Sequence, residues 1–354
     1  MKKLLSKMRK KQPQEPAGRI TTDTLAEHRE KVLAGGRKFK YPVQYQRHKL
    51  VINALIIGVA AVVLLVGLGW YMLYSAQNTS EFMYRVAKVV PVPVAVVDGE
   101  QVRYSDYLMK YRSAEHYLLE KEQIDGNSED GKSQLGYVKS QAMTDAIADA
   151  YAQKLARELD IQVSDAELET FLKQQRQSSD GEVSETTYNA VIRDYYGWSP
   201  AEYREAMKSK LLRQKVAYAV DTKADAISRG IEEKVKAGNT DLKALADSLN
   251  AEAPETATFM PATAWVPKNN QDGGLTEAAL KLKNGQVSTV VKTTSGDGYY
   301  YVKLVDSNET QIRYEYIYIP LTEFDAKLAQ VEKDNKLKKY ITVEDTITQP
   351  DNQE

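Results

Sequence analysis

The stretch LVINALIIGVAAVVLLVGLGWYMLY, residues 50–74, carries no charged side chain, and its only strongly polar side chain is Asn53. At about 1.5 Å per residue, a helix of this length exceeds a hydrocarbon core of roughly 30 Å. The core helix of a soluble protein would show a polar stripe, and this stretch shows none. It therefore predicts a single transmembrane helix, around which the rest of the chain is organised.

The charges on either side of this helix predict its orientation. Fourteen Lys and Arg precede it against four acidic residues, and the nearest cations beyond it are Arg85 and Lys88. Because positively charged flanks stay in the cytoplasm, we expect residues 1–49 inside the cell and the chain from about residue 76 outside. The apolar run exceeds the ~7–15 residues of a signal-peptide core, which favours an uncleaved anchor over a leader. Three aromatic side chains lie where an outer aromatic belt is expected: Trp70, Tyr71 and Tyr74.

The composition argues against several kinds of site. The net charge is −1, so no strong field predicts a nucleic-acid partner. The chain has no cysteine, which excludes disulfides, thiolate metal sites and a Cys nucleophile. Of three histidines only His116 lies beyond the apolar helix, among Tyr and Leu, a setting typical of a packed or surface side chain. We see no metal cluster and no phosphate-binding glycine loop, and expect no catalytic residue, metal or cofactor.

The first part of the predicted exported region begins with a hairpin and continues as capped helices. Asp98-Gly99 between two β-branched runs is typical of a hairpin turn, and Ser105 is expected to cap the next helix. Helical spacing of apolar residues then runs from Leu135 to Leu159. Further helix starts and stops are predicted by the capping boxes Ser164/Glu167 and Ser199/Glu202 and by Gly197, which ends a helix that begins near Ser184.

This ordered set resembles the N-terminal chaperone domain of the SurA, PrsA and PpiD family over about residues 92–220. The resemblance is carried by the opening VAVVDGEQVRYSDY, by the segment ARELDIQVSDAELETFL and by GWSPAEYREAMKSKLLRQKV. It implies an extracytoplasmic protein that binds unfolded or newly exported polypeptides. The alternative is an unrelated helical bundle with the same caps.

Residues 275–306, LTEAALKLKNGQVSTVVKTTSGDGYYYVKLVD, resemble the second half of a parvulin-type peptidyl-prolyl isomerase domain. The resemblance implies a small α/β module and prolyl isomerase activity, but such domains carry a histidine pair, and no histidine follows His116. The last-strand histidine position falls on Tyr300, whose hydroxyl, with a pKa near 10, does not replace an imidazole. Enzymatic activity is therefore uncertain. The matching residues are Ala279, Leu280, Leu282, Gly285, Val287, Ser288, Val290, Val291, Thr293 and Gly298.

The first strand of that module is missing before Ala224, and a candidate follows the module instead. QIRYEYIYIP, residues 311–320, alternates strictly, with Ile312, Tyr314, Tyr316 and Tyr318 on one side. Paired with residues 299–305 as a hairpin, it would complete a permuted parvulin-like sheet and place Tyr316 at the other histidine position. The rival interpretation is that residues 311–319 begin a truncated second copy.

The predicted fold is a single transmembrane helix plus an exported α+β region, which consists of a helical SurA-N-like module and a small parvulin-like α/β module. A short helix over Thr22–Ala34, ended by Gly35-Gly36, is expected within an otherwise disordered arm. The segments are 1–49, the basic cytoplasmic arm; 50–74, the transmembrane helix; 75–91, a linker; 92–222, the chaperone-like domain; 223–320, the degenerate parvulin-like domain; 321–343, a helix and a strand at 340–343 packing back on the chaperone-like domain; and 344–354, a tail.

These features predict a membrane-anchored chaperone that holds unfolded or nascent exported polypeptides. The alternatives are an active parvulin-type isomerase and a structural adaptor of the export channel or envelope. The bilayer is an expected partner through residues 50–74, and the protein export channel is a further candidate. Because aromatic side chains offer a large contact area at low entropic cost, the candidate substrate-binding residues are Tyr300, Tyr316, Trp265, Phe259 and Met260.

Overall fold

The computed structural model describes residues 21–343, except for the side chains of residues 36–47, and separates the chain into the compact units Met1–Tyr71 and Met72–Glu354. The first unit contains helix α1, Thr22–Trp70. Among the described residues, one stretch, His48–Ser75, is long and apolar enough to cross a membrane, with a mean hydropathy of 2.8. The predicted tail at 344–354 and the first part of the predicted arm lie outside the described residues.

Helix α1 corrects two expectations about the segment before the apolar run. Residues 22–49 are helical rather than mostly disordered, and the helix does not end at Gly35-Gly36. A glycine in a helix interior costs about 1 kcal/mol relative to alanine, which weakens a helix without ending it.

The second unit starts with the last residues of the apolar run. A π-turn, Tyr71–Ser75, contains Leu73, which is buried. The Tyr104 hydroxyl donates a hydrogen bond to the Leu73 carbonyl at 2.6 Å, and the Tyr74 hydroxyl donates to the Pro93 carbonyl at 2.6 Å. Tyr74 therefore packs into the folded body, and its assignment to an exposed aromatic belt is wrong.

Helices dominate the first half of the second unit. Helix α2, Glu81–Val89, leads to the hairpin β1, Pro93–Val97, and β2, Glu100–Arg103, whose turn places Asp98 and Gly99 at positive φ as predicted. The helices that follow are α3, Tyr104–His116, with a π-turn at Tyr117–Lys121; α4, Glu129–Glu158; α5, Asp165–Gln175; α6, Glu185–Tyr196; and α7, Pro200–Val220. A two-residue pair, β3, Gln177–Ser178, and β4, Gly181–Glu182, joins α5 to α6.

Most predicted helix caps are confirmed. Glu167 N–H donates to Ser164 Oγ at 3.2 Å, and the Glu167 carboxylate accepts from Ser164 N–H at 2.8 Å. Ser199 and Glu202 form the same reciprocal pair, and Gly197 ends α6 with a φ of 66°. Ser105 is not a cap, because β2 runs directly into α3 and leaves Ser105 buried in the first turn, donating to Asp106.

A five-stranded sheet, here called the second sheet, follows two more helices, α8, Thr222–Lys236, and α9, Leu242–Glu252. Its strand order is β5-β9-β8-β7, with β6 also pairing with β9. Helices α8 and α9 cover one face, and the short helix α10, Leu275–Leu280, covers part of the other. The strands are β5, Thr258–Met260; β6, Val266–Pro267; β7, Val291–Lys292; β8, Gly298–Ser307; and β9, Gln311–Pro320.

The predicted hairpin between β8 and β9 is present. The strands pair antiparallel from Gly298↔Pro320 to Ser307↔Ile312. Residues 258–267 contain two short strands, β5 and β6, because the chain turns at Pro261, whose carbonyl accepts from Thr263 N–H at 2.9 Å.

The last described segment packs on the first half of this unit. Helix α11, Glu323–Lys333, buries Phe324 and Val331 in the same core as β1, α3 and α4. Strand β10, Leu337–Lys339, pairs antiparallel with β1. The strand expected at 340–343 is therefore three residues earlier. Tyr340 N–H still donates to the Val94 carbonyl of β1 at 2.9 Å. Ile341 and Val343 bury their side chains in the same core without forming a strand.

Candidate functional site

Four tyrosines share one face of the second sheet: Tyr300, Tyr314, Tyr316 and Tyr318, here called the tyrosine face. Tyr300 pairs with Tyr318 across β8 and β9, and directly paired residues project to the same side. The Tyr300 and Tyr318 rings stack at 4.7 Å, and the Tyr316 ring lies 5.7 Å from Tyr300. The tyrosine face is partly covered by Leu275 and Ala279 of α10.

Two aspartates fix three of the four tyrosine hydroxyls. Tyr300 donates to Asp297 Oδ2 at 2.9 Å, Tyr318 donates to the Asp297 carbonyl at 3.1 Å, and Tyr314 donates to Asp272. Burial opposes ionisation of Asp297, but hydroxyl donors from Ser295, Tyr300 and Thr293 outweigh it and hold the pKa of this carboxyl below its usual value. Burial, followed by the bond to Asp297, raises the pKa of Tyr300 well above 10. The tyrosine hydroxyls are therefore uncharged near neutral pH. The tyrosine face suits apolar contacts rather than acid–base chemistry.

The structure brings three of the five sequence-predicted binding residues together. Met260 pairs with Tyr316 across β5 and β9 and joins Tyr300 and Tyr316 on the tyrosine face. Phe259 pairs with Ile317 and packs instead against the core under α8 and α9. Trp265 lies apart, with the Arg313 guanidinium 5.4 Å from its ring centroid. Tyr314 and Tyr318 also lie on the tyrosine face but are not among the predicted binding residues. Their alternation with Tyr316 in the sequence places all three on one side of β9 and would have identified them.

A cleft opens between the helical half and the second sheet. Its volume is about 910 Å³, and its lining includes Phe171, Leu211, Tyr218, Ala219, Ala278 and Tyr299. Tyr218 and Tyr299 meet edge to face at 5.1 Å, and Lys292 Nζ lies 4.2 Å from the Tyr218 ring centroid. Sequence reasoning missed this cleft because its walls come from α5, α7, α8 and the segment 273–299, which no local pattern connects.

Helix α7 holds the walls of the cleft in place. Gln214 Nε2 donates to the carbonyls of Thr294 at 3.0 Å and Ser295 at 2.7 Å. One turn later the Tyr218 hydroxyl donates to the Gly298 carbonyl at 2.7 Å. These bonds attach the β7–β8 loop to a helix of the first half, so the cleft has fixed sides.

Comparison with known protein families identifies the helical half. Residues 44–217 match the family described as the SurA-like N-terminal domain. This segment, just under half of the chain, is therefore similar to a SurA-like N-terminal domain, and we call it the SurA-like domain. The match supports the resemblance to SurA, PrsA and PpiD; it ends within α7, so the parvulin-like character of the second sheet stays a prediction. A search of curated proteins found no match to the chain.

Most charged side chains around the cleft are paired. The SurA-like domain contributes Lys215, which pairs with Glu167 at 2.5 Å. Across the cleft Lys281 pairs with Glu277 at 2.7 Å, and on α8 Arg229 pairs with Asp225 at 2.5 Å. The exception is Lys292, an exposed lining cation with no ion pair among the described residues, whose Nζ lies over the Tyr218 ring. The rest of the lining mixes aromatic, aliphatic and hydrogen-bonding groups. Such a lining suits a polypeptide segment of mixed composition better than a small anion.

His116, the one histidine that follows the apolar helix in the sequence, has a structural position. His116 Nε2 lies 2.9 Å from the Asp194 carbonyl oxygen, and its ring packs against Gly197. Within residues 21–343, no group of three or more His, Cys, Asp or Glu is placed to hold a metal ion.

Proposed function

We propose that this protein is a membrane-anchored extracytoplasmic chaperone that holds unfolded or newly exported polypeptides. The observation that carries the proposal is the SurA-like N-terminal domain at residues 44–217, a kind of domain that suggests chaperone-type function outside the cytoplasm. The apolar stretch His48–Ser75 supplies the anchor, and the cations before it set the orientation. The orientation of the chain in the membrane is tested with an impermeant maleimide on intact cells. We expect the reagent to label Asn239→Cys and not Ser6→Cys.

The cleft is the proposed client site. Tyr218 is partly exposed and packs against the buried Tyr299. Its ring offers rigid aromatic surface at low entropic cost, and most charged side chains around it are paired. A volume of about 910 Å³ lies within the range of roughly 300–1,000 Å³ typical of ligand pockets, which is room for a few side chains of an extended segment. Holding of this kind needs no covalent chemistry.

The test is suppression of aggregation by the full chain in lipid nanodiscs, with a chemically unfolded client diluted into buffer. Ala219→Trp places a large ring in the cleft from an exposed position on α7. Ala226→Trp, also exposed and helical but not part of the cleft lining, is the matched control. We expect wild type and Ala226→Trp to suppress aggregation and Ala219→Trp to lose most of that capacity. Aggregation at the same rate with and without the wild-type protein would overturn the proposal and favour a structural adaptor.

A second candidate function, slow prolyl isomerisation, rests on the tyrosine face. Isomerisation has a barrier of roughly 18–20 kcal/mol, and a pocket lowers it by binding the twisted amide more tightly than the planar one. Tyr300 stands at the position where the resemblance expects a histidine, but its hydroxyl is already engaged by Asp297. We therefore favour the holding of unfolded polypeptides over prolyl isomerisation as the function.

A further inference from the structure

Helix α2 is apolar on two opposite sides. Met83, Tyr84 and Ala87 are buried against the core of the second unit. On the opposite side Phe82 is 69% exposed and Val89 is 82% exposed, and Val90, directly after the helix, is 50% exposed. Phe82, Val86 and Val89 follow the spacing i, i+4, i+7 and share one side of the helix. We call Phe82, Val86, Val89 and Val90 the outer face of α2.

The helix is fixed by contacts on its other sides. The Tyr84 hydroxyl donates to Glu202 at 2.7 Å, Lys88 pairs with Glu205 at 3.3 Å, and Arg112 pairs with Glu81 at 2.6 Å. The outer face therefore cannot turn inward without breaking these bonds. Phe82 and the adjacent valines form a contiguous apolar patch on a well-anchored helix, and such patches mark interaction sites.

The position of α2 in the chain indicates what covers the outer face. The candidate membrane span ends at Ser75 and α2 begins at Glu81. Six Cα–Cα steps cover at most roughly 20 Å. The connection is shorter still, because the Asn78 N–H donates to the Met72 carbonyl at 2.8 Å and folds residues 72–78 back on themselves. The end of the span therefore keeps α2 within reach of the membrane surface.

We infer that the outer face of α2 inserts into the outer leaflet of the lipid bilayer. The inference rests on the membrane anchoring in the proposed function and goes beyond it, since it assigns a second membrane contact in the folded body. Arg85 lies at the edge of the outer face with its side chain 76% exposed and paired with Glu81, a position from which a guanidinium reaches the headgroup region while its stem covers apolar surface.

The test uses the full chain, which has no cysteine, reconstituted into vesicles of phosphatidylcholine and phosphatidylglycerol. A bimane fluorophore is placed on Val89→Cys, on Leu64→Cys within the span, and on Asn239→Cys in the exposed α8–α9 loop. Lipids brominated near the headgroup or deep in the acyl chain then quench any bimane that lies in the bilayer.

We expect shallow brominated lipid to remove most of the Val89 emission, deep brominated lipid to quench Leu64, and neither to affect Asn239. Adding Phe82→Asp to the Val89 variant should restore much of its emission, and because Phe82 is exposed the fold should persist. Quenching at Leu64 without quenching at Val89 would overturn the inference and leave the anchor intact. No quenching at Leu64 would overturn the anchor and the inference together, and equal quenching at Asn239 would contradict a contact specific to α2.

Discussion

The buried Asp221 and the exposed Thr322 are joined by a partly buried hydrogen bond, in which the Thr322 backbone N–H donates to Asp221 Oδ2 at 2.8 Å. The same carboxylate oxygen accepts from Glu323 N–H at 3.1 Å, and Oδ1 accepts from Ala224 N–H at 2.9 Å. One side chain at the end of α7 thus caps both α8 and α11. It connects the end of α7, the start of α8 and the start of the C-terminal helix α11 at a single point.

Asp221→Ala should lower the free energy of unfolding by about 3 kcal/mol, because three backbone donors lose a buried charged acceptor. Asp241→Ala removes the exposed cap of α9, which satisfies only Ala244 N–H, and should cost about 1 kcal/mol. Denaturant unfolding measures both, and hydrogen exchange should show faster exchange at the start of α11 only in the Asp221 variant. Equal destabilisation by the two substitutions would show that Asp221 does not connect the three parts.

Gly296 lies under Gln214, and its substitution should weaken the attachment of the β7–β8 loop to α7. Gly296 has a φ of 69°, and an added Cβ would lie 2.4 Å from Gln214 Cγ. Alanine at a left-handed φ costs about 1–2 kcal/mol, and displacing Gln214 should add about 1 kcal/mol for its lost hydrogen bonds.

Gly285→Ala is the matched control, since Gly285 also has positive φ, 77°, but no atom within 4 Å of the added Cβ. In a Gln214→Ala background the extra cost of Gly296→Ala should disappear and leave only the backbone cost. Chemical denaturation of the four variants gives the coupling between the two positions. A cost for Gly296→Ala that is unchanged by Gln214→Ala would contradict the contact.

Glu167 makes stability depend on pH in the acidic range. The hydrogen bond from Lys215, followed by those from Ser164, lowers the pKa of Glu167 to about 2. A carboxyl whose pKa is lower in the folded state contributes stability above its unfolded pKa, near 4.3, and loses it as pH falls toward the folded value. Stability should therefore decrease between pH 4.5 and about 2.

Glu167→Gln should flatten the dependence of stability on pH in this range. Lys215→Met should flatten it similarly, because it removes the main cause of the lowered Glu167 pKa. The change is small, since Glu167 is largely exposed. Urea unfolding at a series of pH values measures it. A wild-type slope that persists in both variants would assign the acid sensitivity to other carboxyls.

The tyrosine face should not catalyse prolyl isomerisation efficiently. In a protease-coupled assay with a proline peptide, we expect the full chain to leave the rate at its uncatalysed value. Tyr300→Phe keeps the ring and removes only the hydroxyl that donates to Asp297. Catalysis by the wild type that is lost in Tyr300→Phe would establish the isomerase function and make Tyr300 part of its site.

The sequence predicted the features that local chemistry determines. The caps at Ser164 and Ser199, the turn at Asp98-Gly99 and the β8–β9 hairpin each depend on residues close together in the chain, and all are present. Strand alternation also placed Tyr314, Tyr316 and Tyr318 on one side of β9. Such features need only propensity and spacing.

Features that depend on distant partners could not be predicted in this way. Phe259 and Met260 are adjacent, and only the pairing of β5 with β9 decides which of them joins the tyrosine face. The position of β10 is decided by its pairing with β1, more than 230 residues earlier. The cleft depends on the bonds from Gln214 and Tyr218 to the β7–β8 loop, which leave no trace in the local pattern.

Photocrosslinking to an unfolded client tests the central claim most directly. Benzophenone is attached to Ala219→Cys, in the cleft lining, or to Ala226→Cys, outside it, in the full chain in nanodiscs. On illumination with a chemically unfolded client, we predict crosslinks from position 219, few from position 226, and loss of the crosslinks when the client is supplied folded. Equal crosslinking from the two positions, or none from position 219, would contradict the claim that this cleft holds unfolded polypeptide.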